Sequence, residues 1–208
     1  MRARARTTRG APMAEIVLFH HVQGATPGVH AFADALRDGG HTVHVPDLFD
    51  GALPESIEAG LALMAGLADH VVAERTDRAL AGLPADLVYA GFSWGGSIAQ
   101  RLAQTRPGAR GALLYESFVS LSAEWSFGPW PAGVPAQVHG MARDPFFAGE
   151  GDLDGARELV DLVGPELAEV FVYDGDAHLF TDASLPSSDP VATALVLERS
   201  LELLARVG

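Results

Sequence analysis

The stretch DLVYAGFSWGG, residues 86–96, decides the fold. Asp86 to Ala90 is a short apolar run that reads as a buried strand, and Ser97 to Gln104 carries helical spacing. Between them Gly91-Phe92-Ser93-Trp94-Gly95 matches the G-x-S-x-G turn, whose chemistry requires a strand before it and a helix after it. Glycine is needed on both sides because the chain reverses so sharply that side chains there would meet neighbouring backbone. The turn exposes the Ser93 hydroxyl as a candidate nucleophile. The following helix aims its unpaired N–H groups at the place where an oxyanion would form, with the Trp94 N–H as the first donor.

Outward from this turn, strands and helices alternate. Residues 15–21 (EIVLFHH), 41–45 (HTVHV), 109–115 (ARGALLY), 134–141 (VPAQVHGM) and 169–173 (EVFVY) read as further strands. Helical patterns cover 29–37, a long Ala/Leu-rich region from Ser56 toward Leu83, 153–163 and a terminal helix over 190–207. Short apolar strands separated by helices predict an α/β fold, a mostly parallel sheet with helices on both faces, in one small domain. Ligands in such sheets bind at the carboxyl ends of the strands. Residues 116–131 (ESFVSLSAEWSFGPWP) are the least regular segment and are rich in aromatics.

A serine hydroxyl needs a base, and in strand-turn-helix sites of this kind the chain order is Ser, then Asp or Glu, then His. Only His139 and His178 follow Ser93. His139 lies inside an apolar strand and reads as structural. His178 follows EVFVY through the loop DGDAH, past a strand's carboxyl end, and is the candidate general base. Asp144, in GMARDPFF after the preceding strand, is the candidate acid that would orient it. A turn role before Pro145 is the alternative for Asp144, and Asp152, Asp154, Asp174 and Asp176 compete with it. The second oxyanion donor is expected in the loop HHVQG after the first strand, at the Val22 N–H, with His21 close behind.

Trp94, His21, Trp125, Phe127, Trp130, Phe146 and Phe180 are candidate walls of a substrate pocket, with core packing as the competing role. His20 and His21 are adjacent, so in an extended segment they face opposite ways, and no metal site is expected there.

Composition narrows the chemistry. The 208 residues carry a net charge of −13 and a pI near 4.8, which opposes binding to nucleic acid or anionic membranes. Every basic residue is Arg, so Schiff-base chemistry and a phosphate-loop lysine are excluded, and no cofactor is implied. The absence of Cys removes disulfides, thiolate metal sites and a cysteine nucleophile, and fits a cytoplasmic location. The Arg-rich opening MRARARTTRGAPM lacks the apolar stretch of a secretory signal; residues 1–13 are expected to be a disordered tail ahead of a domain over 14–208.

Three segments together, GFSWGG, HGMARDP and YDGDAHLF, resemble the dienelactone hydrolase family of α/β-hydrolases, as does the early AFADALRDGGHTVHVPDLFDG. The resemblance runs from about Glu15 to the terminal helix. It implies the α/β-hydrolase fold and a Ser93, Asp144, His178 triad that cleaves a small ester or lactone. Thioester cleavage or acyl transfer on the same triad, and a non-catalytic ligand-binding role, are the alternatives. The chain departs from the namesake enzymes in carrying Ser93 where they use cysteine. It has His20 and His21 where they carry a glutamate that gates the thiolate, and it lacks their arginine clamp for a substrate carboxylate.

Overall fold

A computed structural model describes residues 13–208; all of the expected tail but Met13 lies outside the described residues. Twelve elements follow in order: β1 (Glu15–Phe19), α1 (Pro27–Asp38), β2 (Thr42–His44), α2 (Ile57–Gly66), α3 (Asp69–Leu80), β3 (Val88–Phe92), α4 (Trp94–Thr105), β4 (Gly111–Tyr115), β5 (Ala136–Met141), α5 (Asp152–Val163), β6 (Ala168–Tyr173) and α6 (Pro190–Val207). The six strands form one sheet in the order β2-β1-β3-β4-β5-β6, every pair parallel.

Two cores cover the two faces, and the strands feed them alternately. In β1, Val17 and Phe19 join one core while Ile16 and Leu18 join the other; in β4, Ala112 and Leu114 oppose Leu113 and Tyr115. This period of two with both sides apolar is what a doubly covered parallel sheet requires. Residues of α1 and α6, such as Phe32, Leu36, Val196 and Leu203, close one face. Residues of α4 and α5, such as Ile98, Leu102, Ala156 and Leu159, close the other.

Helix starts follow ordinary capping chemistry. Thr26 caps α1 ahead of Pro27, Ser56 caps α2, and Asp189 caps α6 ahead of Pro190. The long helical region expected over 56–83 is two helices instead. Leu67 (ψ 130°) and Ala68 (ψ 143°) adopt extended backbone between them, and α3 begins without a side-chain cap. Gly66 ends α2, and apolar spacing continues through the break, so the sequence pattern hides it.

Strand order reverses between β1, which pairs with β2 on one side, and β3 on the other. A crevice opens at the carboxyl ends of strands at such a reversal. No helix among the described residues is long and apolar enough to cross a membrane.

Candidate active site

The turn after β3 is as tight as its glycines suggest. A Cβ on Gly91 would sit 2.2 Å from the Gly95 carbonyl oxygen, and one on Gly95 would sit 2.4 Å from that of His20. Ser93 itself has φ 48°, a left-handed conformation that costs a non-glycine residue about 1–3 kcal/mol. Its N–H is held by the Tyr115 carbonyl at 2.7 Å, and its own carbonyl accepts from Gly96 N–H at 2.8 Å. The backbone is therefore fixed from β4 while the hydroxyl points outward.

The structure brings Ser93, His178 and Asp144 into one hydrogen-bonded chain. Ser93 Oγ lies 2.8 Å from His178 Nε2, and His178 Nδ1 lies 2.7 Å from Asp144 Oδ2. The other Asp144 oxygen accepts from the N–H groups of Phe146 (2.9 Å) and Phe147 (3.3 Å), and the side chain is fully buried. A carboxylate only accepts, so Nδ1 carries the imidazole proton and Nε2 is left to accept from the serine hydroxyl. Burial lowers the His178 pKa, but the Asp144 hydrogen bond and the charges of Glu116, Asp144 and Asp152 outweigh it, and the net shift is upward.

Val22 lies in the loop after β1, and Trp94 follows Ser93 as the first residue of α4. Among the described residues no acceptor engages either N–H. Both residues line a cavity of about 190 Å³ together with Ser93 and His178. Ile57, Leu61 and Met64 of α2 form its roof, and Phe146 packs its ring 4.6 Å from that of His178.

Three carboxyl groups that the sequence reading did not single out for the pocket, Glu116, Glu150 and Asp152, also line this cavity. Glu116 follows β4, between the strands that carry Ser93 and Asp144, and adopts φ 60°. Its Oε1 accepts from Thr181 N–H (3.2 Å) and Thr181 Oγ (3.0 Å), while the buried Oε2 has no partner among the described residues. Burial pushes this carboxyl up to about 7 and that of Asp152, which accepts from Phe118 N–H, up to about 6. The available signal was position: a carboxyl at the carboxyl end of a central parallel strand.

Several pocket candidates lie elsewhere. His21 is buried and donates from Nε2 to Asp182 (2.8 Å) while Nδ1 accepts from Gln23 N–H, so it braces the β1 loop rather than lining the cavity. Asp182 also accepts from Thr26 and Ser184; against burial, which raises its pKa, these hydrogen bonds hold it at about 2. Trp130 is buried in the core with its indole N–H on the Val134 carbonyl, and Phe180 is buried in the opposite core beside Tyr173. Trp125 is 68% exposed and stands away from the cavity. The apolar rings of Trp130 and Phe180 satisfy the core as well as a pocket, and the tertiary fold uses them in the core. Phe127 lines a neighbouring groove with Trp94.

Neither of the remaining histidines of interest joins the site. His20 accepts from Leu48 N–H at Nε2 and donates from Nδ1 to the His21 carbonyl, and burial lowers its pKa to about 4. His139 is buried against Tyr173, with its pKa lowered to about 3 by burial.

Comparison with known proteins places the chain in a lineage. A model of the dienelactone hydrolase family matches residues 1–208. A search of curated proteins found no match. A candidate dienelactone hydrolase from Klebsiella pneumoniae superposes with a TM-score of 0.71 at 17% identity, covering 96% of this chain and 90% of that one. A dienelactone hydrolase-like promiscuous phosphotriesterase from metagenomic libraries gives 0.70 at 18% identity, covering 97% and 89%. A butyrate-bound thermophilic esterase from the planctomycete Thermogutta terrifontis gives 0.65 at 16%, covering 99% and 88%. At these identities the likeness establishes the fold, and the match over the whole sequence establishes the lineage. The chain belongs to the dienelactone hydrolase family.

Proposed function

We propose that this ester hydrolase works as a serine enzyme through an acyl-enzyme, with residues 14–208 as its catalytic domain and small neutral esters or lactones as its substrates. The observation that carries the reading is the continuous chain Ser93–His178–Asp144 at 2.8 and 2.7 Å. Ser93 Oγ attacks the ester carbonyl as His178 Nε2 takes its proton, and Asp144 stabilises the imidazolium through Nδ1–H. The N–H groups of Trp94 and Val22 hold the oxyanion. His178 then protonates the departing alkoxide, and a water deprotonated by the same nitrogen releases the acid and restores Ser93.

The charge of the cavity supports a neutral substrate. Among the described residues its ionisable lining is Glu116, Glu150, Asp152 and His178, without an arginine. A carboxylate-bearing dienelactone would meet repulsion there instead of a clamp. Thioester cleavage and acyl transfer use the same groups and differ in the leaving group or acceptor, so acyl-thioesters belong in the substrate screen beside aryl esters.

Mass spectrometry after treatment with a fluorophosphonate probe tests the reading. The wild-type protein should be labelled at Ser93 alone, with labelling abolished in Ser93→Ala and strongly reduced in His178→Ala. A folded wild-type protein that resists the probe would favour a non-catalytic, ligand-binding member of the fold.

A further inference from the structure

We propose that the groove between α2, α3 and α4 is an acyl-chain site, and that it takes an unbranched apolar acyl group of about eight carbons. The inference rests on Ser93 being the nucleophile, because the chain would be tethered there. The groove encloses about 740 Å³, and Met64 and Trp94 line both it and the Ser93 cavity. The two spaces thus meet at a shared wall directly beside the serine. At about 190 Å³ the inner cavity suits only a small group, so a longer chain must extend beyond it, and the groove past Met64 and Trp94 is the adjoining space.

Register on α4 gives the length. Trp94, Ile98 and Arg101 line the groove at i, i+4 and i+7, on one face of the helix that begins at the residue after Ser93. Seven residues of helix advance roughly 10 Å, the span of an extended chain of about eight carbons. Leu67, Val72 and Phe127 supply apolar walls along that path, and among the described residues Arg101 at its end is the only charged residue in the lining. Among the described residues the Arg101 guanidinium has no carboxylate partner.

Two further observations fix which part of an ester goes there. His178 Nε2 must reach the leaving oxygen, so the alcohol lies on the His178 side, where Glu150, Asp152 and Phe146 line the cavity. The acyl chain is left with the opposite side, toward Met64 and Trp94, where no carboxyl group among the described residues lines the groove. The roof helix α2 (IEAGLALMAG) is also mostly apolar, with Glu58 in its first turn as its one charged residue, yet Gly60 is its only buried residue and Leu61 is 40% exposed. A bound chain along the groove would cover Met64 and Leu67 and give this side of α2 an apolar partner.

The test is kcat/KM for 4-nitrophenyl esters from acetate to dodecanoate below their aggregation limits, with octyl acetate alongside. The variants are Ala73→Trp and, as an independent plug, Ala65→Trp; both alanines line the groove and are solvent-exposed, so added bulk fills the groove without entering the core. In the wild type kcat/KM should rise roughly two- to four-fold per added CH₂ from butyrate to about octanoate and then level off. Each variant should lower the octanoate-to-butyrate ratio at least ten-fold. A wild-type profile that is flat or falling beyond butyrate, or a ratio unchanged in both folded variants, overturns the acyl site while Ser93 labelling and short-ester hydrolysis stand. A preference for octyl acetate over the octanoate ester overturns the acyl assignment. Absence of both labelling and hydrolysis overturns the serine-enzyme reading and this site with it.

Discussion

Glu116→Gln removes one buried charge while keeping the shape of the side chain, and its effect on stability can be worked through with its sign. In the wild type, burial moves the carboxyl from 4.5 to about 7. At 1.36 kcal/mol per unit this is about 3 kcal/mol of penalty on the ionised folded state. Below pH 4.5 both folded and unfolded chains hold the proton, and the penalty is absent. As pH rises toward 7 the unfolded chain releases its proton first, so this group's contribution to stability is lost across that window and is gone above it. Gln does not titrate, so relative to wild type the variant should gain about 3 kcal/mol between pH 4.5 and pH 8. Against this stands a constant cost: Oε2, already without a partner among the described residues, carries one proton at low pH where the amide carries two N–H groups, so one more buried donor goes unpaired, worth about 1–3 kcal/mol, while the amide oxygen keeps both Thr181 donors. Chemical denaturation at pH 5 and pH 8 should therefore show the variant less stable than wild type at pH 5 and equal or more stable at pH 8. A stability difference that stays constant with pH would refute the reasoning. The same charge helps raise the His178 pKa, so the acid limb of kcat/KM in the variant should move to lower pH.

Two other substitutions probe the walls of the site. A Cβ on Gly60 would lie 2.2 Å from the Val22 carbonyl oxygen, over 1 Å inside ordinary contact. Because α2 is weakly buried while the Val22 loop is braced by His21 and Asp182, Gly60→Ala should lift the helix, raising KM several-fold with kcat nearly retained. A fall of roughly 10²–10³ in kcat at constant KM would mean that the Val22 N–H moved instead. Among leaving groups, 3-carboxy-4-nitrophenyl butyrate should react at least ten-fold more slowly in kcat/KM than 4-nitrophenyl butyrate, because its charge faces Glu150 and Asp152. The gap should narrow in 0.5 M salt, where the Debye length falls to about 4 Å; equal rates for the two esters would discount the acidic lining.

The sequence was legible where geometry restricts residue type. Gly91 and Gly95 are demanded by contacts near 2.2–2.4 Å, so the turn around Ser93 could be recognised, and the strand rhythm then placed Asp144 and His178 at the ends of β5 and β6. Val22 is proposed as an oxyanion donor on position alone, because a backbone N–H leaves no mark on residue identity. Trp130, Phe180 and His21 misled for the opposite reason. Their side chains serve a core or a pocket equally well, and only the face onto which the fold turns them decides. Glu116 passed unnoticed because its burial is created by β4 meeting the His178 loop, a contact 65 residues apart in the chain.

These differences in legibility follow a division in the molecule's own energetics. Ser93 and Glu116, both at positive φ, and the fully buried Asp144 each cost stability, and all three are set at the ends of central strands whose side chains are almost wholly buried. Only such well-packed supports can hold strained backbone and desolvated carboxyl groups in place. The parts that would select a substrate sit on the opposite kind of support: α2 has a single buried residue, and α3 starts without a side-chain cap. Elements of low local stability can shift to admit chains of different length without disturbing the Ser93–His178 geometry. Substitutions in α2 and α3 should accordingly change which esters are accepted far more than how fast a bound ester is attacked.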